Sequence, residues 1–237
     1  MQPEIPSVVT DLDSQQNANV PSRRAPEAPL RPLSPISNVP SPAARAALLT
    51  QIDESIRVKQ LLRQDPALLD ALMAACELAV ATYKNGGKVL TAGNGGSAAD
   101  AQHIAGELVS RFYYDRPALS AVALTTDTSI ITAIGNDYGY EQVFARQVEG
   151  LGVAGDLLIA ISTSGNSPNI LAAIEAAKKK GIRVVGLTGE KGGKMRGACD
   201  VCLCVPSGET PRIQESHILL SHLLCAHVES EMFPKGM

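Results

Sequence analysis

Five short apolar runs, Lys88–Ala92, Ser120–Thr125, Asp156–Ile161, Arg183–Leu187 and Val201–Val205, punctuate the chain, and most of the intervals between them carry helical spacing. Few folds accommodate that alternation. A strand buried on both faces reads as a continuous apolar run, and parallel strands need helical crossovers to connect them. Ser97–Phe112, Tyr140–Leu151 and Pro168–Lys180 have the pattern of such crossovers. The expected architecture is α/β: a three-layer, doubly wound sandwich with a central parallel sheet of five strands.

Helices are expected on either side of this block. Leu48, Leu49, Ile52, Ile56 and Leu61 recur at helical spacing. Asp65-Pro66 reads as a helix start, with Asp as N-cap and Pro at the first helical position. The helix that follows carries Leu68, Leu69, Leu72, Met73, Cys76 and Val80 and stops at Asn85-Gly86-Gly87. A long final helix is expected from Pro211 to Phe233. Residues 1–42 hold nine of the fifteen prolines and cannot sustain a helix or a core, so they read as a disordered tail. Residues 43–237 then form a single domain, with no solenoid repeat.

Composition narrows the partners. A hydrophobic share of 45% supports a packed core, and a net charge of −3 gives no sign of a nucleic-acid surface. No apolar run reaches the roughly 18–20 residues of a membrane span. The start, MQPEIPSVVTDLD, lacks the basic and apolar regions of a secretory signal, and the five cysteines make no disulfide framework; both point to the cytoplasm. Cys199, Cys202 and Cys204 resemble a metal knuckle but lack a second ligand pair, so CDVCLCVP is read as a strand.

In doubly wound folds ligands bind at the carboxyl ends of the strands, and two strand ends here are unusual. The first run is followed by Gly93-Asn94-Gly95-Gly96-Ser97, which fits neither the Walker A nor the dinucleotide pattern. Its glycines would let a ligand approach the backbone at a helix N-terminus; a tight turn with Ser97 as N-cap explains the same residues as well. The third run is followed by Ser162-Thr163-Ser164-Gly165-Asn166-Ser167-Pro168. Capping uses one hydroxyl, whereas this cluster at a helix N-terminus suits a phosphate monoester. With no Lys or Arg in the loop, a sugar phosphate fits better than a nucleoside triphosphate.

His103 and Glu107 lie one helical turn apart, flanked by Asp100 and Gln102. In the last helix, Gln214 and His222 fall within about 80° of each other on one flank, and polar groups on so apolar a helix need partners. His217 and His227 fall on other faces and are expected at a surface or interface. Two nitrogen ligands and a carboxylate fit zinc or a similar divalent ion, and equally an acid/base pair beside a carbonyl. Spacing alone does not bring the two helices together.

The runs GNGGSAADAQHIAGELVSRF, RPALSAVALTTD, GNDYGYEQVFARQVEGLG, ISTSGNSPNI, LTGEKGGKM and VPSGETPRIQESH closely resemble the phosphoheptose isomerases of the SIS (sugar isomerase) group, across residues 45–233. The resemblance implies a homotetramer with active sites between subunits. It implies isomerisation of D-sedoheptulose 7-phosphate to D-glycero-D-manno-heptose 7-phosphate, an early step toward nucleotide-activated heptose. By matching motif, Asn94, Gly95, Gly96, Asn136 and Asp137 would line the substrate site. Ser162, Thr163, Ser164 and Ser167 would hold the phosphate. His103, Glu107, Gln214 and His222 would bind one zinc per subunit, Glu107 and Gln214 also contacting substrate, with Glu107 and His222 as the acid/base pair. A carboxylate bound tightly to zinc is a poor base, so either the metal is loosely held or Glu107 shifts. Some family members carry an Asp before RIQE, where this chain has Thr210-Pro211. In ALTTDTSIITAI and EMFPKGM the chain also resembles a non-catalytic SIS protein that serves as a replication initiator-associating platform. That relative lacks the counterparts of Glu107 and His222, which favours the enzyme.

Overall fold

The computed structural model describes residues 41–235, so the proline-rich tail expected over 1–42 lies outside the described residues except for its last two positions. Pro42 already opens a helix, α1 (Pro42–Gln64), followed by α2 (Pro66–Lys84). Asp65 caps α2 as its sequence position implies, accepting from the Leu68 N–H at 3.1 Å. Then come β1 (Val89–Ala92), α3 (Gly96–Val109), β2 (Ala121–Ala123), α4 (Thr128–Tyr138), a short 3-10 turn over 140–142, and α5 (Ala145–Leu151). The chain continues with β3 (Leu157–Ile161), α6 (Pro168–Lys179), β4 (Arg183–Gly189), α7 (Met195–Ala198), β5 (Val201–Val205) and α8 (Thr210–Met232).

All five expected strands form, in one parallel sheet of order β2-β1-β3-β4-β5. β1 and β3 are buried along their whole length, as continuous apolar runs require. Successive residues of a strand serve opposite faces: Leu157, Ile159 and Ile161 pack with α1, α2, α3 and α8, while Leu158 and Ala160 pack with α4, α5, α6 and α7. Three layers result, and CDVCLCVP enters the sheet as β5, its thiols free.

Three local features depart from, or go beyond, the expected pattern. The segment before Tyr140 holds α4, capped by Asp127, whose carboxylate accepts from the Ile130 N–H at 2.9 Å; its β-branched run TSIIT hides the helix, and Gly139 (φ +86°) separates it from the next turn. The apolar stripe of α1 does not face the core: Leu48, Leu49, Ile52 and Ile56 are exposed, and Val58 and Leu62 are the buried pair. Finally, α2 is long and apolar enough to cross a membrane by length and composition, although its Leu68, Leu72, Ala75, Cys76 and Ala79 are buried in the core.

At the amino-terminal edge of the sheet, the Asp156 carboxylate is fully buried and accepts from Lys88 N at 2.9 Å, Lys88 Nζ at 2.6 Å and Val153 N at 2.9 Å. It ties the starts of β1 and β3 together. Asp156→Ala strands these donors and is expected to cost about 2–3 kcal/mol in urea unfolding; a loss below about 0.5 kcal/mol, the usual range for surface substitutions, would remove the tie.

Candidate functional site

The chain leaves β1 toward β2 on one side and returns to β3 on the other, so the strand order reverses between β1 and β3. That is where a doubly wound sheet opens a crevice at its carboxyl edge. The two unusual loops sit side by side there.

In the β3–α6 loop, the Ser162 and Ser167 Oγ atoms are 2.8 Å apart and those of Ser162 and Ser164 3.5 Å apart. Ser167 holds the N-cap position of α6 without making a side-chain cap bond. The hydroxyls therefore converge at the helix N-terminus instead of being consumed by capping. Gly165 has φ +66°, and a Cβ there would collide with the Gly192 carbonyl. The following turn braces the loop: Gly189 N donates to Thr163 O (3.0 Å), Lys194 N to Asn166 Oδ1 (3.0 Å) and Met195 N to Gly165 O (3.1 Å). It also brings Lys191 and Glu190 beside Thr163, Ser164 and Asn166 at a cavity of about 230 Å³. Lys191 is thus a cation next to the loop that spacing along the chain does not reveal.

The β1–α3 turn differs from the simple capped turn. Gly95 (φ +55°), not Ser97, is the N-cap, and Ser97 lies buried inside the helix. Asn94 forms a reciprocal amide pair with the buried Asn169 of α6, Nδ2 to Oδ1 at 2.9 Å in both directions, and accepts from Tyr140 Oη at 3.1 Å. Its carboxamide fastens the two loops to each other. Asn169 and Tyr140 were not singled out in the sequence; Asn169 is masked by its position inside a well-formed helix. Asn136 and Asp137, at the end of α4, are exposed and bond to each other (Nδ2 to Oδ1, 2.8 Å).

Gly96 faces α8. The Gln214 carboxamide lies directly against it, in the space a Cβ would take. Two turns further along each helix, His103 Nε2 meets His222 Nε2 at 2.8 Å, and Glu107 Oε1 is 3.3 Å from His103 Nε2. One nitrogen or oxygen from each of the three lies within 4.8 Å of the others, a separation an ion can bridge. The fold thus joins the two helices that spacing left apart. Two imidazole nitrogens and a carboxylate oxygen suit zinc or a comparable divalent ion. The Phe112 ring packs against His222, centroids 5.5 Å apart. An open hollow of about 410 Å³ adjoins the group, lined by His103, Glu107, Ser110, Arg111 and Phe112. Behind His103, Asp100 keeps one carboxylate oxygen buried without a hydrogen-bond partner, and burial raises its pKa while His103 opposes the rise.

His217 is not at a surface. It is fully buried, with Nε2 3.2 Å from the Thr188 carbonyl and no hydrogen-bond partner for Nδ1. Burial drives its pKa down to about 4, against a smaller opposing pull from that carbonyl. Thr188 ends just behind Thr163, so His217 holds α8 to the strand that braces the phosphate-type loop. His227 lines the rim of an open groove with Met73, Glu77 and Glu231.

The chain matches the SIS domain family over residues 56–189. It is 60% identical over 184 residues to a phosphoheptose isomerase of Aneurinibacillus thermoaerophilus, covering 78% of this chain and 93% of that one. Among solved structures it resembles a phosphoheptose isomerase from Neisseria gonorrhoeae, with TM-score 0.74, 48% identity and coverage of 78% of this chain and 98% of the other. A phosphoheptose isomerase from Francisella tularensis gives TM-score 0.75 at 41% identity, with the same coverage.

A neutral, buried His217 sets a pH dependence. Its folded pKa lies below its unfolded value, so its contribution is complete above about 6.5 and is lost as pH falls toward about 4. Urea unfolding at pH 7 and pH 4.5 should show His217→Gln losing less stability on acidification than the unsubstituted chain, by on the order of 2–3 kcal/mol. Equal losses in the two proteins would rule out His217 as the titrating group.

Proposed function

The chain belongs to the phosphoheptose isomerase family of SIS-domain proteins, and from that membership and the site geometry we propose that it interconverts D-sedoheptulose 7-phosphate and D-glycero-D-manno-heptose 7-phosphate. The reaction is an aldose–ketose isomerisation through an enediol. It feeds the synthesis of nucleotide-activated heptose for bacterial surface polysaccharide. The observation that carries the reading is the convergence of His103, Glu107 and His222 on the two helices that flank the hydroxyl-lined crevice.

In this reading Ser162, Thr163, Ser164 and Ser167 hold the phosphate at the α6 N-terminus, with Lys191 close enough to add charge. Gly95 and Gly96 let the sugar pass close to the backbone, Asn94 keeps the two loops together, and Asn136 and Asp137 line the substrate space. Glu107 takes the proton from C1 of the ketose and returns it to C2. His222 gives a proton to the C2 oxygen and removes one from the C1 oxygen, so the double bond moves from C2=O to C1=O and no net proton is consumed. His103, Glu107, Gln214 and His222 would hold one zinc ion per subunit, and when bound it would supply stabilisation of negative charge developing on a substrate oxygen. Because a carboxylate bound tightly to an ion is a poor base, Glu107 would act with the metal loosely held or after shifting away from it.

The same reading takes residues 43–237 as one SIS domain, working in the cytoplasm as a homotetramer with active sites between subunits. The exposed apolar stripe Leu48, Leu49, Ile52 and Ile56 on α1 supports association with further copies. The platform reading is set aside, because Glu107 and His222 are both present and the relatives named above are isomerases.

Aldose formation from sedoheptulose 7-phosphate, followed by NMR with chelator-stripped and zinc-loaded protein, tests the reaction. Glu107→Gln is expected to lower kcat by about 10²–10⁴-fold; full activity would overturn the base assignment. Ser164→Ala is expected to raise KM roughly tenfold or more, and an unchanged KM would remove Ser164 from the phosphate site.

A further inference from the structure

Glu229 lies on α8 seven residues beyond His222, two turns on and on the same flank. Its side chain is 1% exposed. Oε1 accepts from Phe112 N at 2.8 Å and Arg116 Nε at 3.2 Å, and Oε2 accepts from Tyr113 N at 2.7 Å. The Arg116 side chain is 2% exposed and spends its remaining donors on four carbonyls, three of them at the end of α3. Nη2 donates to the carbonyl of Glu107 itself (2.8 Å), and Nη1 to the carbonyls of Leu108 (2.7 Å), Pro117 (3.0 Å) and Ser110 (3.3 Å).

A helix end leaves carbonyls without intrahelical partners, and water or a glycine cap would satisfy them at little cost. A buried ion pair is a costly substitute, because desolvation offsets most of its attraction. What the pair adds is placement. It grips the backbone of Glu107 on one side. On the other it grips the backbone of Phe112, whose ring packs on His222. Both grips are anchored on the helix that carries His222.

We propose that Arg116 and Glu229 are a positioning pair that sets the separation of Glu107 from His222, and with it the geometry of proton transfer and of the metal ligands. The inference rests on the isomerase reading given above. Neither residue touches the substrate in it; both act through Glu107 and Phe112.

Arg116→Lys keeps the charge but loses the planar fork, and Glu229→Gln keeps the shape but loses the charge. Each is compared with Asp156→Ala, which removes a buried carboxylate that ties β1 to β3 and bonds to neither α3 nor α8. Melting temperature, kcat and KM for sedoheptulose 7-phosphate, and zinc affinity by competition with a chromophoric chelator are measured on the full chain. All three variants should melt lower. Only the Arg116 and Glu229 variants should lose about ten- to hundredfold in kcat and in zinc affinity, with KM within about twofold because the phosphate loop hangs on β3 and α6. Variants that melt lower but keep kcat and zinc affinity would overturn the positioning role, as would an equal loss in Asp156→Ala. If one variant fails to fold, the other decides. If the unsubstituted protein binds zinc but does not turn the sugar over, the isomerase reading falls and the pair is judged on zinc affinity alone. Failure of that protein to bind zinc and to turn over would overturn both.

Discussion

Everything at the candidate site hangs on the reversal of strand order between β1 and β3. Because those strands are adjacent and parallel, their following turns emerge side by side, and the helices they lead into diverge to opposite faces. Two loops so placed would drift independently if only the sheet held them. The reciprocal amide pair between Asn94 and Asn169 removes that freedom with two hydrogen bonds, one end of which is buried. A ligand meeting both loops therefore meets a crevice already assembled, and the ordering cost of binding falls on the ligand.

The second organising element is α8. Its buried face is mixed: Ile213, Leu220, Leu224 and Val228 fill the core, while His217 and Glu229 are equally buried and polar. Each of those two bonds next to part of the site, His217 to the end of β4 behind the phosphate-type loop and Glu229 to the segment that follows α3. Between them stands His222, half-buried and turned toward His103. An apolar helix would have packed as well. The polar positions make this helix a reference against which the two loops and α3 are aligned.

The sheet was legible because a run such as LLIAI has only one environment in which both of its faces are satisfied. The hydroxyl cluster was legible for a similar reason, since four hydroxyls exceed what one helix cap can use. Other features depend on facts that no local pattern holds. α4 was missed because Ile and Thr weigh against a helix while Asp127 and the packing of Ile134 weigh for it. His217 looked like a surface residue because the angular position of one side chain says nothing about the strand lying over it. The α1 stripe was read correctly as helical, but periodicity cannot tell a face that meets the core from one that meets solvent or another chain. The meeting of His103 with His222 joins residues 119 apart in the chain, and only the resemblance to a known family anticipated it.

The two halves of the site are built to different standards. The phosphate-type loop is braced by three hydrogen bonds from backbone N–H groups, two to carbonyls and one to the Asn166 side chain, and closed by glycine contacts that leave no room for adjustment. The histidine–glutamate group opens instead onto a wide hollow, with His103 nearly half exposed and Arg111 on the rim. Proton transfer at an enediol needs water kept out and charge held in a low dielectric, and a single chain with so open a hollow provides neither. The exposed apolar face of α1 is likewise unfinished as a monomer surface. The homotetramer proposed above, with the phosphate captured on one chain and the reacting end closed by another, would give both features a purpose.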